Sequence, residues 1–293
     1  RRLPAALGTT QRGDGVEELL FCCPLCGGAL AREEHRAVCS QGHSFDIARQ
    51  GYVHLLPVNK MHSKLPGDSR EMVESRRRFL EAGYYEPFRE ELCRLAGECA
   101  QQLGSPAGEG LALCDAGCGE GYYTQGLHQA LPQAALCGFD ISKLAVKAAA
   151  GKYKAIQFGV ASSFAIPLPG ESVQLLTDVF SPLAVEEFAR VLAPGGYFLY
   201  AVPGERHLYG LKEILYEQPY ENPHRETEYP GFRFVERTTV RGEIRLSGGE
   251  AAKDLFAMTP YYWKTGVEGA RRLEESPGFS TEIAFDFLVY QRN

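Results

Sequence analysis

The sequence predicts an α/β protein in which a small metal-binding β-ribbon domain precedes a larger Rossmann-like domain. Three observations support this fold class. Four Cys and His residues near the start are spaced C-x2-C-x12-C-x3-H, the glycine-rich stretch DAGCGEG occupies 115–121, and strand and helix patterns alternate from residue 111 onward. Alternating β and α elements of this length are typical of a parallel, doubly wound sheet. With 293 residues, the chain is long enough for one small module and one full domain.

The composition is that of an ordinary globular protein, with 44% hydrophobic and 23% charged residues. No apolar run approaches the roughly 20 residues that span a bilayer, and residues 1–20 lack the hydrophobic segment of a signal peptide. We therefore expect a flexible extension over 1–20, a cytoplasmic location, no membrane partner and reduced cysteines.

Charge is unevenly distributed along the chain. The formal net charge of −6 argues against a protein that coats nucleic acid non-specifically. However, the stretch Arg36–Lys64 carries four Lys/Arg and three His against one acid, and Arg76–Arg78 follow. A local basic face of this size could contact phosphates. For Arg76–Arg78, an ordinary solvated helix face is an equal alternative.

The Cys and His spacing predicts a structural zinc site. A C-x2-C knuckle directs two sulfur atoms to one point, and a C-x3-H pair about a dozen residues later completes a closed tetrahedron. The short strands ALARE and HRAV would connect the two halves, and zinc would supply folding energy that a segment of about 40 residues lacks. Cys22 is an alternative to its neighbour, and His35 is a further candidate. The predicted zinc ligands are Cys23, Cys26, Cys39 and His43.

The larger domain is predicted from five strands separated by helices. The strands are LALCD, AALCGFD, AIQFGVA, SVQLLTDVF and PGGYFLYAVP, and the helices are YYTQGLHQAL, ISKLAVKAAA and LAVEEFARVL. We place the zinc-binding module at 21–60, a helical linker at 61–105 and the larger domain at 106–293. In such sheets, ligands bind beyond the carboxyl ends of the strands.

The glycine-rich loop favours S-adenosylmethionine (SAM) over a dinucleotide. A G-x-G-x-x-G loop would receive a pyrophosphate, but position 122 is Tyr, and Asp115 and Glu120 would repel phosphate. SAM carries a sulfonium and an ammonium group instead, which suit nearby acids. Asp140 ends the second strand and is placed to accept the ribose hydroxyls. A class I SAM-dependent methyltransferase domain follows, with an NAD-type or a degenerate structural domain as alternatives. The predicted cofactor contacts are Asp115, Gly117, Gly119, Glu120 and Asp140.

From about Phe21 to the C-terminus, the chain resembles the large-subunit (23S) ribosomal RNA guanine-N1 methyltransferases, the RlmA family. The resemblance is carried by CPLC…C…GH, FDIARQGYVHLLP, PGDSREM, RRRFLEAGYYEP, DAGCGEGYYT, GFDISKLAVKAAA, VASS, PGERHL and MTPYYW. It implies zinc at the four ligands above and SAM contacts at Tyr85, Gly119, Glu120 and His207. Without the resemblance, the local sequence predicts that Tyr85 is a packing aromatic residue and that His207 lies at the start of a surface helix.

The resemblance also implies a substrate and an assembly. The substrate would be a guanine in a 23S rRNA hairpin at the peptide exit tunnel, and zinc modules of a homodimer would grip the RNA. The chain departs from the family pattern at 180-FSP-182, where an aromatic, Ala and Pro are expected, and in its first twenty residues.

Methyl transfer to guanine N1 requires alignment of the base and removal of the N1 proton. Asp178 is the candidate general base from the sequence, with a solvated strand-edge acid as the alternative. Phe180 is the first candidate for stacking on the unstacked target base, and Tyr261, Tyr262 and Trp263 are second candidates. Packing within a core is the alternative for each aromatic.

Two rival functions belong to other classes. One is a small-molecule SAM methyltransferase with structural zinc, against which the basic stretch speaks. The other is a non-catalytic, zinc-dependent RNA-binding protein, against which the intact Asp115, Gly117, Gly119 and Asp140 speak.

Overall fold

The computed structural model describes residues 18–57, 67–223 and 228–293. Most of the predicted flexible extension, and residues 58–66, which include the end of the basic stretch, lie outside the described residues. Within the described ranges, no helix is long and apolar enough to cross a membrane.

The N-terminal module is an antiparallel sheet of four short strands in the order β1-β2-β3-β4. The predicted ALARE and HRAV strands are confirmed as β2 and β3, which pair from Leu30↔Cys39 to Glu33↔Arg36. Both zinc half-sites are turns at the ends of these strands. The strands are β1 (Glu18–Cys22), β2 (Ala29–Glu33), β3 (Arg36–Cys39) and β4 (Ser44–Asp46).

An eight-stranded sheet forms the larger domain, in the order β11-β12-β10-β9-β6-β7-β8-β5. The five strands expected from the sequence, β6 to β10, are all present and mutually parallel. The whole sheet is mixed, because β12 runs antiparallel between β10 and β11. Its strands are β5 (Val53–His54), β6 (Ala112–Ala116), β7 (Ala135–Asp140), β8 (Gln157–Val160), β9 (Val173–Val179), β10 (Leu192–Pro203), β11 (Phe232–Leu246) and β12 (Phe279–Arg292).

Helices cover both faces of this sheet, as the alternating pattern predicts. The first helix begins after Ser69, whose hydroxyl accepts the Met72 N–H at 3.3 Å as an N-cap. The helices are α1 (Arg70–Glu81), α2 (Glu86–Gln102), α3 (Tyr122–Ala130), α4 (Lys143–Lys152), α5 (Val185–Val191), α6 (Tyr209–Leu215), α7 (Glu250–Ala257), α8 (Tyr261–Lys264) and α9 (Val267–Glu275).

The two helices of the predicted linker, α1 and α2, lie against the larger domain. In α2, the ring centroid of Phe88 lies 4.4 Å from that of Phe285 and 4.9 Å from that of Phe287. A proline in the first turn of α2 is typical of a helix start. In α1, the last turn packs beside α7. The predicted linker therefore supplies part of the wall around the strand ends.

Two buried clusters fill the two faces of the sheet. Consecutive residues of one strand alternate between them: Leu175 belongs to one cluster and Leu176 to the other. Phe21 of the zinc module belongs to the second cluster, and its ring lies close to Gly159, where a Cβ would be 3.0 Å away. Strand β5, near the end of the predicted zinc module, pairs with β8 through Val53↔Gly159. The zinc module is thus joined to the larger domain by both a strand and a core contact.

Candidate zinc and cofactor sites

The four predicted zinc ligands converge on one point, with all ligand atoms within 4.8 Å of one another. His43 Nδ1 lies 3.5 Å from Cys23 Sγ and 3.4 Å from Cys39 Sγ, and the Sγ atoms of Cys26 and Cys39 are 3.7 Å apart. For Zn–S bonds of about 2.3 Å and Zn–N bonds of about 2.0 Å, a tetrahedron has edges of roughly 3.5–3.8 Å. The residues therefore fit one Zn²⁺ in a closed, structural site.

The neighbouring candidates lie outside this group. Cys22 is buried, and its backbone N–H donates to the Pro167 carbonyl at 2.8 Å, while His35 is exposed. Burial raises the pKa of the Cys39 thiol, but hydrogen bonds from the backbone N–H groups of Gln41 and His43 and from the side chains of Cys26 and His43 together lower it to about 7. A thiol with a lowered pKa is readily deprotonated, as a metal ligand must be.

A cavity of about 750 Å³ opens at the carboxyl ends of strands β6 to β10. This is the edge at which doubly wound sheets bind their ligands. Six of the seven predicted cofactor residues line it, namely Tyr85, Gly117, Gly119, Glu120, Asp140 and His207. Their contact with a cofactor stays a prediction, but the structure brings all six to one cavity.

Three positions of the glycine-rich loop favour glycine because their backbone is left-handed, and at Gly117 and Gly121 neighbouring atoms leave no room for a Cβ. Gly117, Gly119 and Gly121 have φ values of 76°, 55° and 86°. A Cβ at position 117 would lie 2.4 Å from the hydroxyl oxygen of Ser181, in the loop that follows β9. The backbone of the glycine-rich loop is therefore in van der Waals contact with Ser181 in the loop after β9.

Asp140 holds this loop from the neighbouring strand. Its Oδ2 accepts the Gly119 N–H at 3.1 Å, and its Oδ1 accepts the Ser142 N–H at 2.7 Å. A carboxylate has about four acceptor positions, so two remain for the hydroxyls of a ribose. Burial raises the pKa of Asp140, and these two N–H groups oppose the rise.

Asp115 is the one predicted cofactor residue that does not line the cavity. Its carboxylate is fully buried and accepts the hydroxyls of Thr124 at 2.6 Å and Thr177 at 2.7 Å. Burial raises its pKa to about 6, and the two hydroxyls oppose that rise. Because these hydroxyls come from α3 and β9, the position of Asp115 favours fixing the loop between them over direct contact with a cofactor.

The Arg76–Arg78 run divides between the cavity and the protein surface. Arg76 lines the cavity, forms an ion pair with Asp68 and donates to the Met258 carbonyl at 3.4 Å. Arg78 donates to both carboxylate oxygens of Asp254, at 2.5 and 2.9 Å. Neither arginine belongs to a free basic face, so the expectation that the run contacts phosphates holds at most for the exposed Arg77.

The direction of Arg76 follows from helical periodicity, a signal that charge counting missed. Met72, Arg76 and Leu80 are spaced by four residues on α1, and all three line the cavity. Arg76 thereby adds a cation beside the acidic side chains of Asp68, Glu120 and Asp140, and Lys264 also lines the cavity. This mixture suits a zwitterionic ligand that carries both a carboxylate and positive groups.

Tyr85 and His207 form a buried polar pair at the inner end of the cavity. The Tyr85 hydroxyl lies 3.4 Å from His207 Nε2, and the Ala284 N–H donates to His207 Nδ1 at 3.3 Å. The imidazole proton therefore resides on Nε2. Burial lowers the pKa of His207 to about 3, so the ring stays neutral. His207 is buried and not the surface residue that its local sequence suggests, whereas Tyr85 is a packing aromatic, against Phe79 and Phe285, that also lines the cavity.

The structure places Asp178, the candidate general base, behind the cavity wall. Its carboxyl group is completely buried and does not line the cavity, and its Oδ1 accepts the Ser181 N–H at 3.1 Å. Its Oδ2 has no hydrogen-bond partner among the described residues. Burial raises its pKa to about 8. A protonated acid behind the wall reaches no substrate, which argues against both the general-base role and a solvated strand edge.

Aromatic side chains surround the mouth of the cavity. Phe180 lines it with 40% of its surface exposed, and its ring stacks on Phe88 at 5.5 Å. Its backbone adopts a left-handed φ of 56°, a costly conformation for Phe that marks functional loops. Of the second candidates, Tyr261 and the 70% exposed Trp263 line the cavity, and Tyr262 packs on Trp263.

Two further mouth aromatics, Phe164 and Tyr220, have no distinguishing sequence signal. Nine large hydrophobic residues are exposed in the described part of the chain, and five of them line this one cavity. Such concentration marks a binding site. The five are Ile141, Phe164, Phe180, Tyr220 and Trp263.

Known protein families match both the zinc module and the larger domain. The family model described as "RlmA, N-terminal", a zinc ribbon, matches residues 21–64, and a methyltransferase domain model matches residues 107–254. A putative 23S rRNA (guanine-N(1)-)-methyltransferase of Micromonospora griseorubida is 37% identical over 66% of this chain and 68% of its own length.

Two longer matches extend the comparison over nearly the whole chain. The 23S rRNA (guanine(748)-N(1))-methyltransferase of Streptomyces fradiae is 32% identical over 87% of this chain and 90% of its own length. A putative 23S rRNA (guanine-N(1)-)-methyltransferase, YxjB, of Bacillus subtilis is 26% identical over 94% of this chain and 98% of its own length. The chain therefore belongs to the RlmA family of 23S rRNA guanine-N1 methyltransferases, with SAM and structural zinc as its cofactors.

Proposed function

We propose that this protein methylates N1 of a guanine in a hairpin of 23S rRNA near the peptide exit tunnel. The observation that carries the proposal is a single cavity that combines a predicted cofactor-binding wall with an aromatic mouth. Its inner wall holds Asp140 and the glycine-rich loop, and its mouth exposes flat aromatic rings. A base that leaves an RNA stack is held by such rings. Family membership supplies the substrate class.

Alignment is the main contribution of the protein to the reaction. SAM, when bound, supplies a sulfonium methyl group whose leaving group is a neutral thioether. The protein fixes the loop through Asp140, and it holds Phe180 in place through the Phe180 N–H, which donates to the Ala201 carbonyl at 3.1 Å. Guanine N1 forms the new C–N bond as the C–S bond of the sulfonium breaks, and its proton passes to solvent water at the open mouth of the cavity, so the ring stays neutral. A preorganised stacking surface orients N1 toward the methyl group.

The zinc module is proposed to grip the RNA beside the cavity. Strand β5 and the Phe21 contact attach it to the larger domain, so its orientation relative to the cavity is defined by packing. The proposal includes a homodimer and a cytoplasmic location, as the resemblance implies. Analytical ultracentrifugation with and without RNA tests the dimer.

Methyl transfer from labelled SAM to unmodified 23S rRNA tests the function, with 16S rRNA as the matched control. Incorporation into 23S rRNA alone supports the proposal. If SAM binds but no RNA is labelled, a small-molecule methyltransferase becomes the better account. If SAM does not bind while 23S rRNA does, the protein is a non-catalytic RNA-binding protein.

A further inference from the structure

Phe164 is the second most exposed aromatic side chain of the described residues, with 66% of its surface open to solvent. It lies in the segment after β8, and no aromatic ring in the described part of the chain packs against it. Exposing a phenyl ring costs hydrophobic free energy that burial would recover. An isolated exposed ring on a rigid element therefore suggests a partner that covers it.

The segment that carries Phe164 is held firmly from behind. Arg190 donates to the carbonyls of Ile166 and Leu168 at 2.7 and 2.9 Å, and Glu187 accepts the Ile166 N–H at 2.7 Å. These hydrogen bonds pair the backbone N–H and carbonyl groups of Ile166 and the carbonyl of Leu168 with side chains of α5. The exposure of Phe164 is thus a consequence of a fixed backbone that directs the ring outward.

Phe164 belongs to two cavities at once. It lines the mouth of the cofactor cavity, and it also lines a groove of about 500 Å³ between the zinc knuckle and the segment after β8. Ser162 is shared in the same way. On the zinc side, the groove is lined by Leu25, which sits between two zinc ligands with 61% of its surface exposed. The groove is therefore a continuation of the proposed target-base site toward the zinc module.

The charged side chains that line this groove are Arg190 and Glu187, which form an ion pair at 2.7 Å, and one further cation lies near its edge. Leu55 lines it, and the preceding residue, His54, lies near Lys143 at the start of α4; burial first, and then Lys143, lower the pKa of that imidazole. Lys143 is exposed. A groove with both apolar and polar surface, an exposed aromatic ring and a nearby exposed lysine matches a nucleotide, which pairs a flat base with a phosphate.

We propose that this groove seats a nucleotide adjacent to the target guanine, with its base stacked on Phe164 and bounded by Leu25 of the zinc knuckle. The inference rests on the proposed function, because it takes 23S rRNA as the ligand. It makes Phe164 a specificity-determining residue. The zinc module and the methyl-transfer cavity then contact neighbouring nucleotides through one shared side chain.

The test is 23S rRNA binding and methylation by Phe164→Ala, with Phe164→Trp as the conservative variant. Phe234→Ala, an exposed phenylalanine on β11 outside both cavities, is the matched control. Filter binding at fixed salt should show RNA affinity about 5- to 150-fold weaker for Phe164→Ala, the range for loss of one base–aromatic stack. SAM affinity by calorimetry should stay within twofold, and Phe164→Trp should restore RNA binding.

The outcomes separate this inference from the function on which it rests. Wild-type-like RNA binding by Phe164→Ala overturns the inference whether or not the protein methylates RNA. An equal loss of SAM affinity also overturns it, because Phe164 would then cover the cofactor. RNA binding that depends on Phe164 but yields no methylation supports the inference and removes the proposed function. If the wild type binds no 23S rRNA, both are wrong.

Discussion

Replacing Asp178 with Asn tests whether Asp178 is a buried structural acid or a general base. The folded protein raises the pKa of Asp178 from 3.8 to about 8, chiefly by burial. Between these values, the folded state binds more protons than the unfolded state, so this group makes the protein less stable as pH rises. Asparagine has no such titration. The stability of Asp178→Asn relative to wild type should therefore increase with pH.

The size of the effect follows from the pKa difference. Each pH unit inside the window changes the free energy of unfolding by about 1.36 kcal/mol. From pH 5 to pH 7, the difference between variant and wild type should grow by up to about 2.7 kcal/mol. The new amide N–H₂ would occupy the position of the unpaired Oδ2 and costs about 1–3 kcal/mol, but this cost does not depend on pH.

Urea unfolding of both proteins at pH 5, 6 and 7 measures this slope, and methyl transfer at pH 8 measures activity. Because the acid lies behind the cavity wall, the variant should keep its turnover within about threefold of wild type. A general base would instead lose about 10²- to 10⁴-fold. A pH-independent stability difference, or a loss of turnover of that size, would refute the burial argument.

The site makes three further predictions. Gly117→Ala should weaken SAM binding about 5- to 150-fold by calorimetry with a folded circular dichroism spectrum, because its Cβ would clash with Ser181 in a left-handed backbone; a near-native affinity would contradict this. Phe180→Ala should raise the KM for RNA about 5- to 150-fold and leave SAM affinity within twofold, since its ring faces the mouth; an unchanged KM would exclude base stacking. Arg78→Ala and Asp254→Ala should show a coupling of about 1 kcal/mol in a double-mutant cycle of urea unfolding, modest because Arg78 is exposed; additive effects would show no interaction.

The parts predicted correctly from sequence are those set by local spacing. The zinc ligands lie in two turns whose residue intervals fix the geometry, and the five parallel strands follow from continuous apolar runs between helices. The position of Asp140 at the end of the second strand predicts that it lies beside the loop, and its carboxylate accepts the Gly119 N–H there. Tyr85 and His207 came from family resemblance alone, and the structure shows the buried pair that they form.

What the sequence did not reveal depends on packing between distant segments. Asp178 ends a strand next to a loop, which resembles an accessible position, but β9 is central and buried along its whole length. The pairing of β5 with β8 brings the zinc module onto the sheet across more than 100 residues. The exposure of Phe164 is set by the arginine and glutamate that hold its segment. No local pattern encodes any of these contacts.

The central claim is tested most directly by the identity of the modified nucleoside. Unmodified 23S rRNA is incubated with the protein and SAM, digested to nucleosides and examined by mass spectrometry, and the modified position is mapped by primer extension. The account predicts 1-methylguanosine at a single guanine in a hairpin, and a much smaller amount with Gly117→Ala at a limiting SAM concentration. Methylation at another atom or another base, or on many unrelated guanines, would contradict it.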